Sequence, residues 1–246
     1  MASFNLFAGK ILQIEGGYND NRDWDENFLD GAFIGTKYGI TPATLAHHLR
    51  RDITQADMIN LTKATALKIY EKEYWDRFRL SEFDSQDLAE IVADGIIQHG
   101  PGGNGDTGGV TMLQQTLNDL GEDLEVDGIL GSLTVAAANR QSKLNGGLLY
   151  NLYRDSRLKY YEWLALQDPR KLSVLPGWKN RINNHFPEKE DGAVIVTASK
   201  FPVDRLIEVA AAKYGWGWII AAAVLLPVTA YAVYQLFFRN EKPAAA

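Results

Sequence analysis

The chain has 246 residues, 46% of them hydrophobic, and carries a formal net charge of −6 at pH 7. This length and apolar content predict one or two folded domains with real cores, and the acidic balance argues against nucleic acid binding through a broadly basic surface. Because there is no cysteine, disulfides, cysteine metal sites and thiol catalysis are excluded.

The first element is a helix, predicted over residues 3–14 because apolar residues recur there at helical spacing. Glu15 ends this pattern, and two glycines break it at once. A loop rich in carboxylates follows over residues 16–40, with a short hairpin expected around residues 31–38. A carboxylic acid at a helix end, facing an irregular acidic loop, is an arrangement that can support acid–base chemistry.

Most of the remaining chain up to about residue 185 reads as helix. Thr41 and Pro42 form a typical helix start, with Thr as the N-cap and Pro in the first turn. Further helices are predicted over residues 55–61, 62–75, 85–97, 110–120, 134–141 and 147–167. The last of these is rich in aromatic residues, which favours a role in the core over the alternative, a platform for sugar binding. The globular part is therefore predicted to be mainly α.

The C-terminal part has a different character. Residues 186–213 are predicted to form a linker and a short helix, and residues 214–238 a single transmembrane helix, followed by a tail over 239–246. Residues 215–238 carry no formal charge and have aromatic residues at both ends, as a membrane span requires. No signal peptide is expected at the N-terminus. The basic residues on the two sides of the span are too evenly distributed to predict its orientation.

Carboxylates remain as the candidate catalytic groups once the other common site motifs are excluded. The four histidines have no metal-binding spacing such as HExxH, and no GxSxG nucleophile motif occurs. The glycine-rich loop over residues 98–109 lacks the GK[ST] ending of a phosphate loop. We therefore expect no metal and no cofactor. Glu15 is the candidate general acid, although a Glu that simply ends a helix is common.

Five segments, taken in order, resemble the glycoside hydrolase family 108 muramidases and cover roughly residues 5–183. They are E-G-G-Y at 15–18, T-K-Y-G-I-T at 36–41, D-G-I-I-Q-H-G-P at 94–101, the L-Q and V-D-G-I-L-G-S-L-T pieces within 113–134, and G-W-K-N-R-I at 177–182. The resemblance implies a lysozyme-like α-helical scaffold with a small hairpin at the active site. It also implies cleavage of peptidoglycan at the N-acetylmuramic acid linkage.

The resemblance divides the globular part into a muramidase catalytic domain, residues 1–95, and a peptidoglycan-binding helical segment packed on it, residues 96–185. In the first, Glu15 corresponds to the catalytic Glu. Thr36, and Asp30 six residues before it, are candidates for positioning water or stabilising the transition state. Four other loop carboxylates compete with Asp30 and can equally be solvated charges: Asp20, Asp23, Asp25 and Glu26.

Substrate contacts are predicted for Tyr18 and Tyr38, although these rings can equally serve to pack the hairpin. Gln98 stands where the family usually has Asn, and His99 follows it at the edge of the expected cleft. Near the end of the globular part, Trp178 and Arg181 can share one helical face. In that arrangement Trp178 packs on the core and Arg181 pairs with a nearby carboxylate.

The predicted partners are peptidoglycan and a lipid bilayer, with a holin or virion proteins as further candidates and no nucleic acid. A membrane-anchored muramidase of phage or prophage origin, acting in lysis or genome entry, fits this combination. Two alternatives remain at this point. One is a peptidoglycan-binding or virion membrane protein that keeps the scaffold without catalysis, and the other is a muramidase that serves protein secretion.

Overall fold

The computed structural model describes residues 1–190. The predicted membrane helix at 214–238, the tail at 239–246 and most of the predicted linker lie outside the described residues. Within residues 1–190 no helix combines the length and the apolar character that a membrane span needs.

The described part of the chain is mainly α, which confirms the predicted fold class for this part. Its eight α-helices are α1 Phe4–Ile14, α2 Pro42–Leu49, α3 Gln55–Ile59, α4 Lys63–Tyr70, α5 Gln86–His99, α6 Gly109–Asp119, α7 Ser132–Gln167 and α8 Leu175–His185. One π-helical turn continues α4 over Glu71–Asp76, and short 3-10 turns lie at Asp25–Asn27, Leu80–Glu82 and Pro169–Ser173.

Local capping explains where several helices begin. Thr41 accepts a hydrogen bond from the backbone N–H of Thr44, and Pro42 occupies the first turn, as the sequence predicts. Thr54 and Asp57 form a reciprocal capping box at the start of α3. The short helices of the N-terminal half are therefore set by their own start residues.

Helix α7 spans Ser132–Gln167 and contains a kink at Asn145, whose φ of −149° and ψ of 54° are not helical. The kink divides α7 into two helical parts, and this confirms the break predicted between residues 141 and 147. Asn145 stands directly before the Gly146–Gly147 pair, and glycine weakens a helix. The result is a long kinked helix that carries the aromatic residues to the C-terminal end.

Four short strands form two antiparallel pairs. Strands β1 Tyr18–Asn19 and β4 Thr36–Lys37 pair with each other, and β2 Phe28–Leu29 pairs with β3 Ala32–Phe33. The turn between β2 and β3 is Asp30–Gly31, with φ values of 49° and 79°. An Asp-Gly turn with two positive φ values is typical of a tight hairpin, so the turn lies at the start of the predicted 31–38 hairpin and not within it.

Helix α5 lies in the centre of the core, and its residues from Leu88 to Ile96 are all buried. Helix α7 packs against α5 and α8, and α8 also contacts α1. At Gly95 an added Cβ would overlap the Tyr153 hydroxyl, so the glycine lets α7 approach α5 closely. This packing brings the end of α1, the middle of α5 and the middle of α8 to one place.

Candidate active site

Glu15 is the residue immediately after α1, where the backbone becomes extended at φ −88° and ψ 125°. Its Oε1 accepts a hydrogen bond from Arg181 Nη2 at 2.7 Å. Both side chains retain only 13% of their exposure. The predicted acid is therefore a partly buried carboxyl group that is fixed by one arginine.

Arg181 also binds Asp94 of α5, through Nε at 3.0 Å and Nη2 at 2.6 Å, both to Oδ1. The other Asp94 oxygen, Oδ2, accepts from Arg157 Nη2 of α7 at 2.7 Å. Asp94 and Arg157 are completely buried. We call these four residues, Glu15, Arg181, Asp94 and Arg157, the ion network. When Glu15 is ionised, the two positive and two negative charges of the network balance, which makes such burial tolerable.

Two effects set the pKa values in the ion network: burial and the ion pairs that its members form with one another. Burial alone would raise the pKa of Asp94, but the guanidinium groups of Arg181 and Arg157 outweigh it and hold the pKa below 3.8. Burial opposes the charge of Arg181 too, yet Asp94 and Glu15 raise the pKa of Arg181 above its ordinary value. Asp94 is thus an anion throughout the neutral range. The predicted pairing of Arg181 with a carboxylate is confirmed.

A second tight turn covers Glu15 from the hairpin side. Tyr38 and Gly39 have φ values of 50° and 69°, and the Tyr70 hydroxyl donates to the Tyr38 carbonyl at 2.9 Å. A Cβ at Gly39 would overlap Glu15 Oε2 and the Tyr70 hydroxyl. The glycine of the T-x-x-G segment is therefore required by its contact with Glu15 as well as by its φ value.

Replacing Gly39 by Ala tests this contact. We expect roughly a 10²-fold loss of activity, because displacement of a reacting group by about 1 Å has an effect of that size. Gly100→Ala is the matched control, since Gly100 has a φ of 67° and no atom near its missing Cβ. Equal activity losses in the two variants, at matched stability, would show that backbone strain and not Glu15 placement is responsible.

Thr36 lies on β4 directly opposite Asn19 of β1. Its Oγ1 is buried and has no hydrogen-bond partner among the described residues. An unpaired buried hydroxyl needs a water or ligand partner. Thr36 stands three residues before Gly39, whose turn contacts Glu15, and its catalytic role stays a prediction.

Asp30 lies on the exposed tip of the β2–β3 hairpin. Five residues separate it from Thr36 in sequence, whereas Asp20 directly follows the strand residue that pairs with Thr36. Asp23, Asp25 and Glu26 are also exposed. The preference of the tight turn for an Asp-Gly pair already explains the aspartate at position 30. The catalytic role of Asp30 stays a prediction.

The two tyrosines predicted to contact sugar have structural partners. The Tyr18 hydroxyl donates to the Ile34 carbonyl at 3.0 Å and accepts from Gln55 Nε2 at 2.9 Å, and its ring covers Gly35. Tyr38 is half-buried and contributes its carbonyl to the bond with Tyr70. Tyr18 thus holds the hairpin, whereas the ring of Tyr38 lies against the Lys37 ammonium, whose Nζ is 5.3 Å from the ring centroid.

Gln98 and His99 lie at the end of α5 and are half-buried. The His99 ring is in edge contact with Tyr160 and Tyr161, at centroid distances of 5.1 and 4.9 Å. Burial, and next the charge of Arg157, lower the pKa of His99 to about 3. His99 is therefore neutral near pH 7, and its Nε2 has no hydrogen-bond partner among the described residues.

Sequence reasoning missed two members of the ion network, Asp94 and Arg157. Asp94 belongs to a segment recognised only by resemblance, and Arg157 lies in the aromatic stretch read as core. Both are charged residues within apolar helical patterns, and this was the signal in the sequence that could have identified them. Charged residues are seldom fully buried unless they are paired.

Two protein-family models match adjacent parts of the chain and together include these features. Residues 8–100 match the model described as glycosyl hydrolase 108, and residues 108–183 match a predicted peptidoglycan domain. Among solved structures, the chain is similar to that of Brucella abortus SagA, with a TM-score of 0.58 and 23% sequence identity. The similarity covers 77% of this chain and 97% of the other. No curated protein matches the sequence.

Proposed function

We propose that this chain, a glycoside hydrolase that acts on peptidoglycan, is an N-acetylmuramidase whose general acid is Glu15. The observation that carries the proposal is the position of Glu15. It lies within the residues matched by the hydrolase model, at the end of α1, and is held by the ion network against the turn at Gly39.

The two oxygens of Glu15 have different environments, which suggests where its proton resides. Arg181 donates to Oε1, so this oxygen acts as an acceptor and the proton belongs on Oε2. Oε2 faces the space above Gly39. In the reaction Oε2 protonates the glycosidic oxygen as the bond to the sugar breaks.

The oxocarbenium-like transition state needs a second group on the opposite side of the sugar. We assign Thr36 to hold the attacking water or the substrate, because its buried hydroxyl has no other partner among the described residues. A loop carboxylate completes the pair. The separation of the two carboxyl groups will decide between inversion, at about 6.5–9.5 Å, and retention, at about 5–5.5 Å.

Asp20 and Asp30 compete for the role of second carboxylate. The resemblance favours Asp30, whereas Asp20 directly follows Asn19, the strand partner of Thr36. We expect Asp20→Asn to lower the rate roughly 10²-fold, the lower end for loss of an acid–base group. Asp30→Asn should retain most of the activity, since Asn also fits the left-handed turn position. The reverse pattern of rates would assign the role to Asp30.

Turbidity loss and release of reducing ends from purified murein test the proposed activity. The wild-type protein should clear the suspension and generate reducing sugars in parallel. Clearing without new reducing ends would point to cleavage of the peptide or amide bonds instead. Binding to murein with neither effect would support the non-catalytic alternative.

Membrane anchoring is part of the proposal and rests on the sequence. The uncharged segment over residues 215–238 is long enough to cross a bilayer, with aromatic residues at both ends. A single pass would keep the enzyme near a bilayer, as a phage or prophage lysis or entry enzyme requires. Sedimentation of the chain with the membrane fraction tests the anchoring, and protease protection of the N-terminal part in sealed spheroplasts shows which side of the membrane it occupies. Recovery of the intact chain in the soluble fraction after cell breakage would contradict the anchoring.

A further inference from the structure

An aromatic array lies beyond the Glu15 site, on the surface formed by α5, α7 and α8. The rings of Trp163 and Tyr160 are stacked, with centroids 5.8 Å apart and planes 14° apart. Tyr160 contacts His99, His99 contacts Tyr161, and Tyr161 stacks on Trp178 at 5.2 Å. Each of these four ring contacts lies within the range of favourable aromatic pairs.

Exposure changes along the array. Tyr161 is completely buried and fixes the middle, whereas Trp163 is 52% exposed and Tyr160 is partly exposed. The Tyr160–Trp163 pair therefore presents flat apolar surface to solvent. Because the pair is held on an ordered helix by its own stacking, the surface is already shaped for a ligand before anything binds.

The inner end of the array is continuous with the active site. Trp178 lies on α8 three residues before Arg181, so both project from neighbouring turns of one helix. Arg181 in turn binds Glu15. These contacts connect the array to the Glu15 site through the interior of the protein.

The carboxylate of Asp106 lies near the exposed ring pair, Tyr160 and Trp163. Burial, and next the nearby Asp106 carboxylate of the glycine-rich loop, raise the pKa of Tyr160. Asp106 is exposed. A flat aromatic surface with one nearby hydrogen-bond acceptor suits a sugar, because a pyranose ring has an apolar face and a rim of donors. A stem peptide with free carboxylates is disfavoured next to Asp106 by charge repulsion.

We propose that Tyr160 and Trp163 form an outer subsite for the glycan strand of peptidoglycan, in which sugar faces pack against the exposed parts of the two rings. The subsite rests on the proposed function only in taking peptidoglycan as the polymer. It would hold the strand away from the bond that is cleaved.

Binding measurements on Glu15→Gln protein test the subsite without cleavage of the ligand. The probes are intact sacculi and glycan strands freed of stem peptides by an amidase. We expect Trp163→Ala to weaken binding to both about 10-fold, the order of effect produced by loss of one aromatic stacking partner. Trp163→Phe should restore most of the affinity.

Leu133→Ala is the matched control, because Leu133 is 77% exposed near the other end of α7. Unchanged binding of Trp163→Ala to the peptide-free strands, relative to this control, would overturn the subsite. So would a loss seen only with intact sacculi, which would indicate a stem peptide ligand. Failure of the wild-type protein to cleave murein would instead contradict the proposed function and leave the binding comparison interpretable.

Discussion

Replacement of Glu15 by Gln is expected to lower the rate of glycan cleavage by about 10³-fold, within the range found for loss of a general acid. The amide has nearly the shape of the carboxyl group and can still accept the hydrogen bond from Arg181 Nη2. It cannot supply the proton that the departing oxygen needs. Arg181 keeps Asp94 as its partner, so no cation is left unpaired.

The measurement is the initial rate of reducing-end release, together with the thermal unfolding midpoint of the same preparation. Glu26→Gln is the control, since Glu26 is an exposed carboxylate of the same acidic loop and its variant should be as active as the wild type. If Glu15→Gln retains a tenth or more of the wild-type rate, Glu15 is not the general acid.

Replacement of Asp94 by Asn should have the largest effect on stability. Asp94 and Arg157 are both fully buried, and loss of one partner of a buried ion pair costs ~3–5 kcal/mol because the other charge stays uncompensated. Denaturant unfolding should show the midpoint falling with little change in its slope. Asp84→Asn removes an exposed partner of Lys143 instead, and its midpoint should stay near that of the wild type.

The pH dependence of stability provides an independent check on Asp94. Its pKa in the folded protein lies below 3.8, so its contribution is present above that value and is lost as the pH falls through the lower folded pKa. The wild type should therefore lose stability in acid more steeply than Asp94→Asn. Parallel curves for the two proteins below pH 4 would show that Asp94 is not held as an anion by its arginines.

The sequence predicted most helices because their determinants are local. Thr41 with Pro42 begins α2, and apolar spacing identifies α1 and α5. The hairpin turn at Asp30–Gly31 also had a local determinant, the Asp-Gly pair, which received a catalytic interpretation instead. Local sequence patterns therefore predicted the secondary-structure elements, but they did not always predict the role of an individual residue within an element.

The ion network could not be predicted in the same way. The Glu15–Arg181 bond joins residues 166 positions apart, and periodicity contains no information about such pairs. From the shared helical face of Trp178 and Arg181, the sequence predicted that Trp178 packs on the core and that Arg181 pairs with a carboxylate. It did not identify which residues are their partners. The aromatic stretch of α7 was expected in the core, and it divides in the structure between buried Tyr153 and Tyr161 and exposed Trp163.

The identity of the new reducing end tests the central claim most directly. Murein digested by the wild-type protein is reduced with borohydride and hydrolysed, and the reduced sugars are identified by mass spectrometry. A muramidase that uses Glu15 should yield reduced N-acetylmuramic acid from the wild type and none above background from Glu15→Gln. Reduced N-acetylglucosamine from the wild type, or equal yields from both proteins, would contradict the assignment.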